Sequence, residues 1–228
     1  MSFRLQYASN LFVDLHKQKF EALVKPVCST LALVGNIGKP NDVKTFHFLN
    51  YCSRNWDTVL WVSGTHEVTD SPYVVRDLSR EFQNVRCLDS EESVFPSEHA
   101  IVFGLPPGSP HEKFCKPSLT HSMLRTVFWT MTNPMFSIIF LRSKGVEKNL
   151  LPLEGNRLEA PVSLLITGTS KKNRLSIDSN GKQLFATNSC FQSESSLVNS
   201  VSYSPTAFVE IVTPGVSLRT VKHSLQLA

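Results

Sequence analysis

The amino-acid sequence predicts an α/β fold: a layered β-sandwich, two mixed sheets flanked by helices, in a single domain over residues 1–228. Three observations predict it. In the first third, short apolar runs alternate with stretches of helical periodicity, the pattern of parallel β-α-β units. The last third contains short apolar runs and a hairpin signal, Asp-Ser-Asn-Gly at residues 178–181. A chain of 228 residues without repeats or a linker-like segment suits one hydrophobic core.

The elements of the first half follow from the spacing of apolar residues. Strands are expected over residues 3–9, 30–34, 58–62, 84–88 and 100–103. Residues 14–23 predict a short helix or a loop, and a helix is expected over residues 71–82. Asn41 and Asp42 are plausible caps of another helix that continues through Arg54. The apolar face expected for that helix contains Val43, Phe46, Leu49, Tyr51 and Cys52.

The second half predicts further strands and one helix. Residues 121–131 have a helical pattern that ends at Asn133-Pro134, and a strongly apolar strand is expected over residues 136–141. Four further strands are expected over residues 162–167, 173–177, 183–186 and 207–212. The chain therefore changes from alternating strands and helices to mostly strands.

Composition excludes several classes of protein. The net charge of +4, from 23 basic and 19 acidic residues, permits contact with an anionic surface without indicating one. The five cysteines are scattered and form no Cys-x-x-Cys pair, so neither a zinc knuckle nor a disulfide framework is predicted. No signal peptide and no membrane span is expected. A cytoplasmic or otherwise intracellular protein is the expectation, and a virus particle or an organellar assembly would fit it.

Three strand ends indicate a family. Residues 5–12 read Leu-Gln-Tyr-Ala-Ser-Asn-Leu-Phe, residues 31–38 read Leu-Ala-Leu-Val-Gly-Asn-Ile-Gly, and residues 59–67 read Val-Leu-Trp-Val-Ser-Gly-Thr-His-Glu. In order and spacing these resemble the opening motifs of the calcineurin-like metallophosphoesterases, which are Asp-x-His, Gly-Asp and Gly-Asn-His-Glu. The resemblance implies a layered sandwich of that type and, in active members, two metal ions at the strand ends.

The same resemblance implies that the metal ligands of this chain are replaced. The aspartate and histidine of the first motif fall on Asn10 and Phe12, and the metal-bridging aspartate falls on Asn36. The ligating asparagine falls on Thr65, while His66 stands at the position of the family's catalytic histidine. Amide, hydroxyl and phenyl groups are poor substitutes for the carboxylates and imidazoles that such cations require.

The later ligand positions are also changed. One falls on Arg142, directly after the strand over residues 136–141, and the Gly-His-x-His motif falls on Gly168-Thr169-Ser170-Lys171. Neither place has a histidine, and Lys171 puts a positive charge where cations would bind. The resemblance therefore implies a vestigial pocket with no metal ligands, no catalytic residues and no cofactor.

Three functions compete. The leading hypothesis is a pseudoenzyme that serves as a structural or protein-interaction subunit of a larger assembly, with other protein subunits as partners. A retromer subunit and accessory subunits of replicative DNA polymerases resemble the family in fold and serve largely as scaffolds. The second hypothesis is an active metal-dependent phosphoesterase with a shifted or reduced site. The third is binding of nucleic acid or another polyanion through Lys171, Lys172 and Arg174. A solvated hairpin face is the plainer interpretation of those charges.

The shifted site of the second hypothesis would use Asp14, His16, His66 and Glu67. Asp14-Leu15-His16 has the Asp-x-His spacing, but it lies four residues late, roughly 13 Å away in an extended chain. A solvated loop is the plainer interpretation of that segment. The remaining histidines show no ligand spacing with one another.

Overall fold

The computed structural model of the chain describes residues 2–15, 17–68, 72–88, 93–97, 100–105, 137–144, 162–169, 174–177, 184–188, 190 and 203–212. The predicted helix over residues 121–131, the predicted hairpin turn and the lysines at 171 and 172 lie outside these residues. The described strands are β1 (Ser2–Ala8), β2 (Thr30–Val34), β3 (Thr58–Val62), β4 (Val85–Cys87), β5 (Ser93–Ser97), β6 (Ala100–Leu105), β7 (Ser137–Lys144), β8 (Val162–Thr169), β9 (Arg174–Ile177), β10 (Leu184–Thr187) and β11 (Phe208–Val212). The described helices are α1 (Phe20–Leu23), α2 (Val43–Asn55), α3 (Thr65–Val68) and α4 (Pro72–Arg80).

A five-stranded, mostly parallel sheet holds the first half of the chain. Its order is β11-β1-β2-β3-β4, with β1 to β4 parallel and β11 antiparallel at one edge. The register pairs Leu5 with Thr30, and Thr30 with Thr58, so the carboxyl ends of β1, β2 and β3 lie side by side. The predicted β-α-β arrangement is therefore confirmed, and the fold is mixed α/β in a single domain.

The other described strands form a six-stranded sheet in the order β5-β6-β7-β8-β10-β9. β9 and β10 pair antiparallel, as the hairpin signal predicted. The prediction that the strand over residues 136–141 ends before Arg142 is wrong, because β7 continues to Lys144 and pairs Arg142 with Thr167. β8 likewise continues to Thr169, which pairs with Lys144. Polar residues extend both strands because a neighbouring strand still offers backbone partners.

Alternate residues of β2 enter two hydrophobic clusters. Leu31 and Leu33 pack with the helices, in a cluster that also contains Phe48 and Leu49 of α2. Ala32 and Val34 belong to a second cluster that includes side chains of β6, β7 and β8. All five residues of β2 are buried, which explains why its sequence is apolar without alternation.

Helix α2 begins as predicted but buries a different face. The Asp42 side chain accepts a hydrogen bond from the backbone N–H of Lys44 over 2.8 Å, which confirms the predicted cap. The predicted apolar face is wrong at Val43 and Phe46, which are 64% and 40% exposed. The buried residues are Thr45, Phe48, Leu49 and Cys52. This set has the helical spacing i, i+3, i+4 and i+7, so a buried threonine completes the packed stripe.

Two short elements were not predicted. The short helix α3 follows β3 directly, and β5 contains Pro96. A proline is tolerated in β5 because that strand lies at the edge of its sheet. None of the helices in the described ranges is long and apolar enough to cross a membrane.

Candidate functional site

The candidate site lies where the first three parallel strands end. The loop after β1 runs beside the loop after β2: the backbone N–H groups of Asn10 and Phe12 donate to the carbonyl oxygens of Gly35 and Asn36. Four residues of these loops have positive φ angles: Asn10 (51°), Phe12 (44°), Gly35 (77°) and Asn36 (55°). Asparagine and glycine tolerate this conformation, whereas an aromatic residue there is strained. The loops therefore hold an uncommon backbone shape at this edge of the sheet.

The side chain of Asn36 joins all three loops. Its Oδ1 accepts a hydrogen bond from the backbone N–H of His66 over 3.0 Å, and the Thr65 hydroxyl lies 3.4 Å from the same oxygen. A backbone N–H can only donate, so the atom facing it must be the amide oxygen. The Asn36 Nδ2 then donates to Oδ1 of Asn10 over 2.9 Å. A buried amide network thus stands where the resemblance places the metal-bridging carboxylate.

Glu67 holds the loop after β2 from the opposite side. Its buried carboxylate accepts backbone N–H bonds from Asn36 (3.0 Å), Gly38 (3.3 Å), Gly64 (2.6 Å) and also Ile37. Because Gly64 immediately precedes α3 and Glu67 lies three residues later, the bond to Gly64 is half of a capping box. Burial raises the pKa of Glu67, and the hydrogen bonds from the amides oppose that rise. Glu67 is thus a structural acceptor for these backbone donors.

Asp14 and His66 form a pair beside the amide network. The His66 Nε2 lies 2.9 Å from Oδ2 and 3.1 Å from Oδ1 of Asp14. The Asp14 side chain is only 3% exposed and that of His66 is 17% exposed. The interpretation of this segment as a solvated loop is therefore wrong for Asp14. Asp14 reaches His66 because the chain runs beside the loop after β2, where the N–H of Val13 bonds to the carbonyl of Ile37, and then turns, where the N–H of Leu15 bonds to the carbonyl of Phe12.

Phe12 packs against that imidazole. The ring centroids of Phe12 and His66 are 5.1 Å apart, with an interplanar angle of 70°, a common edge-to-face arrangement. At the position where the resemblance places a ligating histidine, the chain thus presents a hydrocarbon ring that contacts the His66 imidazole. That contact leaves His66 shielded on one side by an apolar surface.

The side-chain atoms at these strand ends are not suitable ligands for a pair of divalent cations. The Asn36 amide is engaged at both ends, and the Phe12 ring has no ligand atom. Across the described ranges no three His, Cys, Asp or Glu side chains converge as a metal site would require. A dinuclear centre needs anionic oxygens shared between the ions, and amide oxygens committed to backbone donors do not supply them.

The second sheet also reaches this edge. The Ser9 hydroxyl donates to the carbonyl oxygen of Gly168 over 2.8 Å and lies 3.1 Å from that of Asn188. The Asn188 side chain in turn donates to the carbonyls of Tyr7 and Ser204, over 2.9 and 2.8 Å. Gly168 at the end of β8 is thus brought beside the end of β1.

The predicted site residues are placed as follows. Asn10, Phe12, Asn36, Thr65 and His66 are brought together at one edge of the five-stranded sheet. Arg142 and Thr169 lie in β7 and β8, and only their backbone positions are described, while Lys171 lies outside the described residues.

The sequence did not predict the contacts that Glu67, Asp14 and Asn188 make. An acidic residue three positions after Gly64, in Gly-Thr-His-Glu, was the available signal for the capping box. The Asp14–His66 contact joins residues 52 apart, and the Asn188–Tyr7 contact joins residues 181 apart. Neither has a local pattern that could have indicated it.

Comparison with known proteins supports the fold. No family model matches the chain, and no curated protein matches it. The crystal structure of phosphopantetheinyl hydrolase from Mycobacterium tuberculosis is similar, with a TM-score of 0.51 and 16% identity, over 87% of this chain and 89% of that one. A second solved structure has a TM-score of 0.48 and 15% identity, over 82% of this chain and 90% of that one, which is too weak a likeness to add an argument. At such identities the likeness is one of fold: a mixed α/β architecture over most of the chain.

Proposed function

We propose that this chain is a non-catalytic, metallophosphoesterase-like protein that serves as a structural or protein-interaction subunit of a larger assembly. In this proposal the fold is the layered sandwich of that family, with the helices outside the five-stranded sheet and the six-stranded sheet on its other face. The similar hydrolase structure supports the fold alone. The proposal of a lost activity depends on the resemblance of the strand ends and on the chemistry of their side chains.

One observation carries the proposal: the Asn36 amide bonds to Asn10 on one side and to the backbone N–H of His66 on the other. An aspartate at position 36 could bridge two cations, whereas this amide satisfies the protein's own polar groups. Buried polar groups stabilise a fold when they are paired, and a cluster of uncompensated carboxylates opposes it. The former site therefore acts as part of the scaffold.

The active phosphoesterase with a shifted or reduced site is the alternative, and the Asp14–His66 pair favours it. An imidazole held by a carboxylate is a common device for general acid-base catalysis. Against it, Glu67 is committed to backbone amides and does not point a free carboxylate at His66. His16, the fourth member of that set, lies outside the described residues.

Metal analysis and a hydrolysis assay separate the two proposals. The purified protein is incubated with manganese, iron or zinc, desalted, and assayed for bound metal and for hydrolysis of bis(p-nitrophenyl) phosphate. We expect no stoichiometric metal and no turnover above that of the double variant Asp14→Ala with His66→Ala. His47→Ala, which changes an exposed histidine on α2, is the matched control. Stoichiometric metal together with turnover that the double variant loses and the control keeps would establish the active alternative.

Isolation of the native assembly tests the subunit role. A tagged full chain is recovered under mild conditions, and the proteins that copurify in fixed ratio are identified by mass spectrometry. We expect at least one stoichiometric protein partner. A chain that sediments alone from its native source, at native concentration, would contradict the proposal.

A further inference from the structure

A groove lies between α1 and α2, on the face of the five-stranded sheet that the helices cover. It has a volume of about 880 Å³, and its described lining comes from residues 19–26 and 47–55. Two partly buried aromatic side chains, Phe20 and Tyr51, lie within it, with their ring centroids 5.9 Å apart. None of the residues that line the groove belongs to the strand-end network.

The walls of the groove are held firmly. The buried Gln6 side chain donates to the carbonyls of Lys25 and Pro205, each over 2.8 Å. Its oxygen accepts from the backbone N–H of Val27 over 3.3 Å and from the indole N–H of Trp56 over 3.0 Å. The Tyr51 hydroxyl lies 2.9 Å from the carbonyl oxygen of Val24 and so joins the two walls. A groove with fixed walls loses little entropy when a ligand binds.

The rim of the groove is basic. Lys19, Lys25 and Arg54 are exposed at its edge, and Glu21 carries the one negative charge among the described lining residues. Within the described part of the chain, no carboxylate lies within ion-pair distance of those three cations. Three unpaired cations around an aromatic floor attract a ligand that is acidic and carries an apolar side chain.

We propose that this groove docks an acidic segment of a partner protein, with one apolar or aromatic side chain packed on the exposed surfaces of Phe20 and Tyr51 and flanking carboxylates against Lys19, Lys25 and Arg54. The inference deepens the proposed function, because it names the surface and the class of partner for the subunit role. Apolar anchors supply most of the binding free energy at such surfaces, and complementary charges supply selectivity and association rate.

Other occupants fit the charge less well. Residues 213–228 of this chain contain Arg219 and Lys222 and no acidic residue, so this segment would be repelled by the rim. A second copy of the chain could offer residues 89–98, which contain four acidic residues and Phe95, but two copies of net charge +4 repel each other. A single-stranded nucleic acid would satisfy the cations and could stack a base on the aromatic floor, so it is the competing ligand against which the acidic peptide is measured.

Selection from a library of random short peptides displayed on phage tests the proposal on the full chain. We expect enrichment of peptides that are rich in Asp and Glu and contain one Leu, Phe or Trp. Fluorescence polarisation of an enriched peptide should show binding that weakens roughly tenfold between about 50 mM and about 500 mM salt. An oligonucleotide of equal charge is measured beside it and should bind more weakly than the peptide.

Matched variants locate the site. Lys19→Glu with Lys25→Glu should weaken peptide binding by about tenfold or more, because like charges then face the peptide. The control, Lys39→Glu with Arg86→Glu, makes the same change of charge at exposed positions outside the groove and should retain binding. Circular dichroism establishes that each variant is folded. The salt dependence of the unaltered chain tests the charge argument without any variant.

Several outcomes would overturn the inference. They are the absence of enriched acidic peptides, equal losses in both double variants, tighter binding of the oligonucleotide, or self-association through the groove in sedimentation experiments. These results are independent of the proposed function, since metal content and hydrolysis are measured separately. If the chain binds acidic peptides and also hydrolyses phosphodiesters, the proposal of a docking groove is supported and the proposal of a non-catalytic protein is contradicted.

Discussion

The side-chain amide nitrogen of Asn36 donates a hydrogen bond to Oδ1 of Asn10 over 2.9 Å, between the loops that follow β1 and β2. The direction of this bond is fixed by a third group, because the backbone N–H of His66 requires the Asn36 oxygen on the other side. Position 36 must therefore supply a donor and position 10 an acceptor. The substitutions Asn36→Asp and Asn10→Asp look equivalent in the sequence, but they differ in which hydrogen bond they remove from this network.

Asn36→Asp should destabilise the fold, and Asn10→Asp should affect it much less. An aspartate at position 36 has no donor for Asn10 and places two oxygen acceptors 2.9 Å apart, so a loss of about 1–3 kcal/mol is expected. An aspartate at position 10 still accepts from Asn36, so a smaller loss than for Asn36→Asp is expected. Urea unfolding at neutral pH measures both. A larger loss for Asn10→Asp than for Asn36→Asp would mean that the amide is oriented the other way, and equal losses would contradict the assigned direction of the bond.

Glu67→Gln should lower the free energy of unfolding by about 1–3 kcal/mol, because its amide N–H₂ would face backbone donors. The difference should depend on pH. Burial raises the pKa of Glu67 in the folded chain, so just above the ordinary value of about 4.3 the folded state keeps a proton that the unfolded chain has released. The contribution of Glu67 to stability therefore decreases as the pH rises through that window.

Unfolding curves at several pH values check this expectation. The difference between the unaltered chain and Glu67→Gln should narrow as the pH rises from about 4.3 towards the raised pKa. Glu81→Gln is the matched control at an exposed position and should stay within about 0.5 kcal/mol of the unaltered chain throughout. A difference that widens with rising pH would show that the amide hydrogen bonds outweigh burial at Glu67.

Gly64→Ala should destabilise the chain, because the added methyl group has no room beside Asn36. A Cβ atom there would lie 2.3 Å from the backbone nitrogen of Asn36 and 2.4 Å from its Oδ1, and a backbone neighbour cannot move aside cheaply. A loss of about 1–3 kcal/mol or more is expected from thermal or urea unfolding. Lys39→Ala, at an exposed residue outside the network, is the control and should change stability by less than about 0.5 kcal/mol. A Gly64→Ala chain as stable as the control would disprove the close approach.

Gln6→Ala should destabilise the chain and weaken peptide binding in the groove. The substitution removes the partners of the Lys25 and Pro205 carbonyls and of the Trp56 indole N–H. Because partly buried groups would be left unpaired, a loss of about 2–4 kcal/mol is expected. Gln83→Ala, at an exposed glutamine, should change neither stability nor binding. Unfolding and fluorescence polarisation on the same preparations measure both effects, and an unchanged Gln6→Ala chain would contradict the role of Gln6.

The triple variant Asn10→Asp, Phe12→His and Asn36→Asp should not acquire phosphodiesterase activity. Thr65, Thr169 and Lys171 would still lack the ligand atoms that two cations require. Two carboxylates at positions 10 and 36 would also repel each other without a metal ion, so the variant should unfold at lower urea concentration than the unaltered chain. Hydrolysis assays with added manganese measure the first effect. Detectable turnover would mean that the later motifs are misplaced.

Much of the five-stranded sheet was predictable because its information is local. β2 and β3 were expected at residues 30–34 and 58–62, and the structure has them at Thr30–Val34 and Thr58–Val62. Helix α2 begins at the predicted cap, yet its buried face contains Thr45 instead of Val43. A helix presents its periodic pattern in the sequence, but the packing partner decides which way the helix is rotated.

By itself the sequence determined the order of most strands and helices in the first half, and it placed Asn10, Phe12 and Asn36 after the first two strands. Apolar runs, caps and residue identities are properties of a few neighbouring positions. Only the tertiary structure decided that Asp14 reaches His66, that Glu67 collects backbone amides from two loops, and that Gln6 supports the groove. These contacts join residues far apart in the chain, and they depend on turns and strand registers that no local pattern encodes.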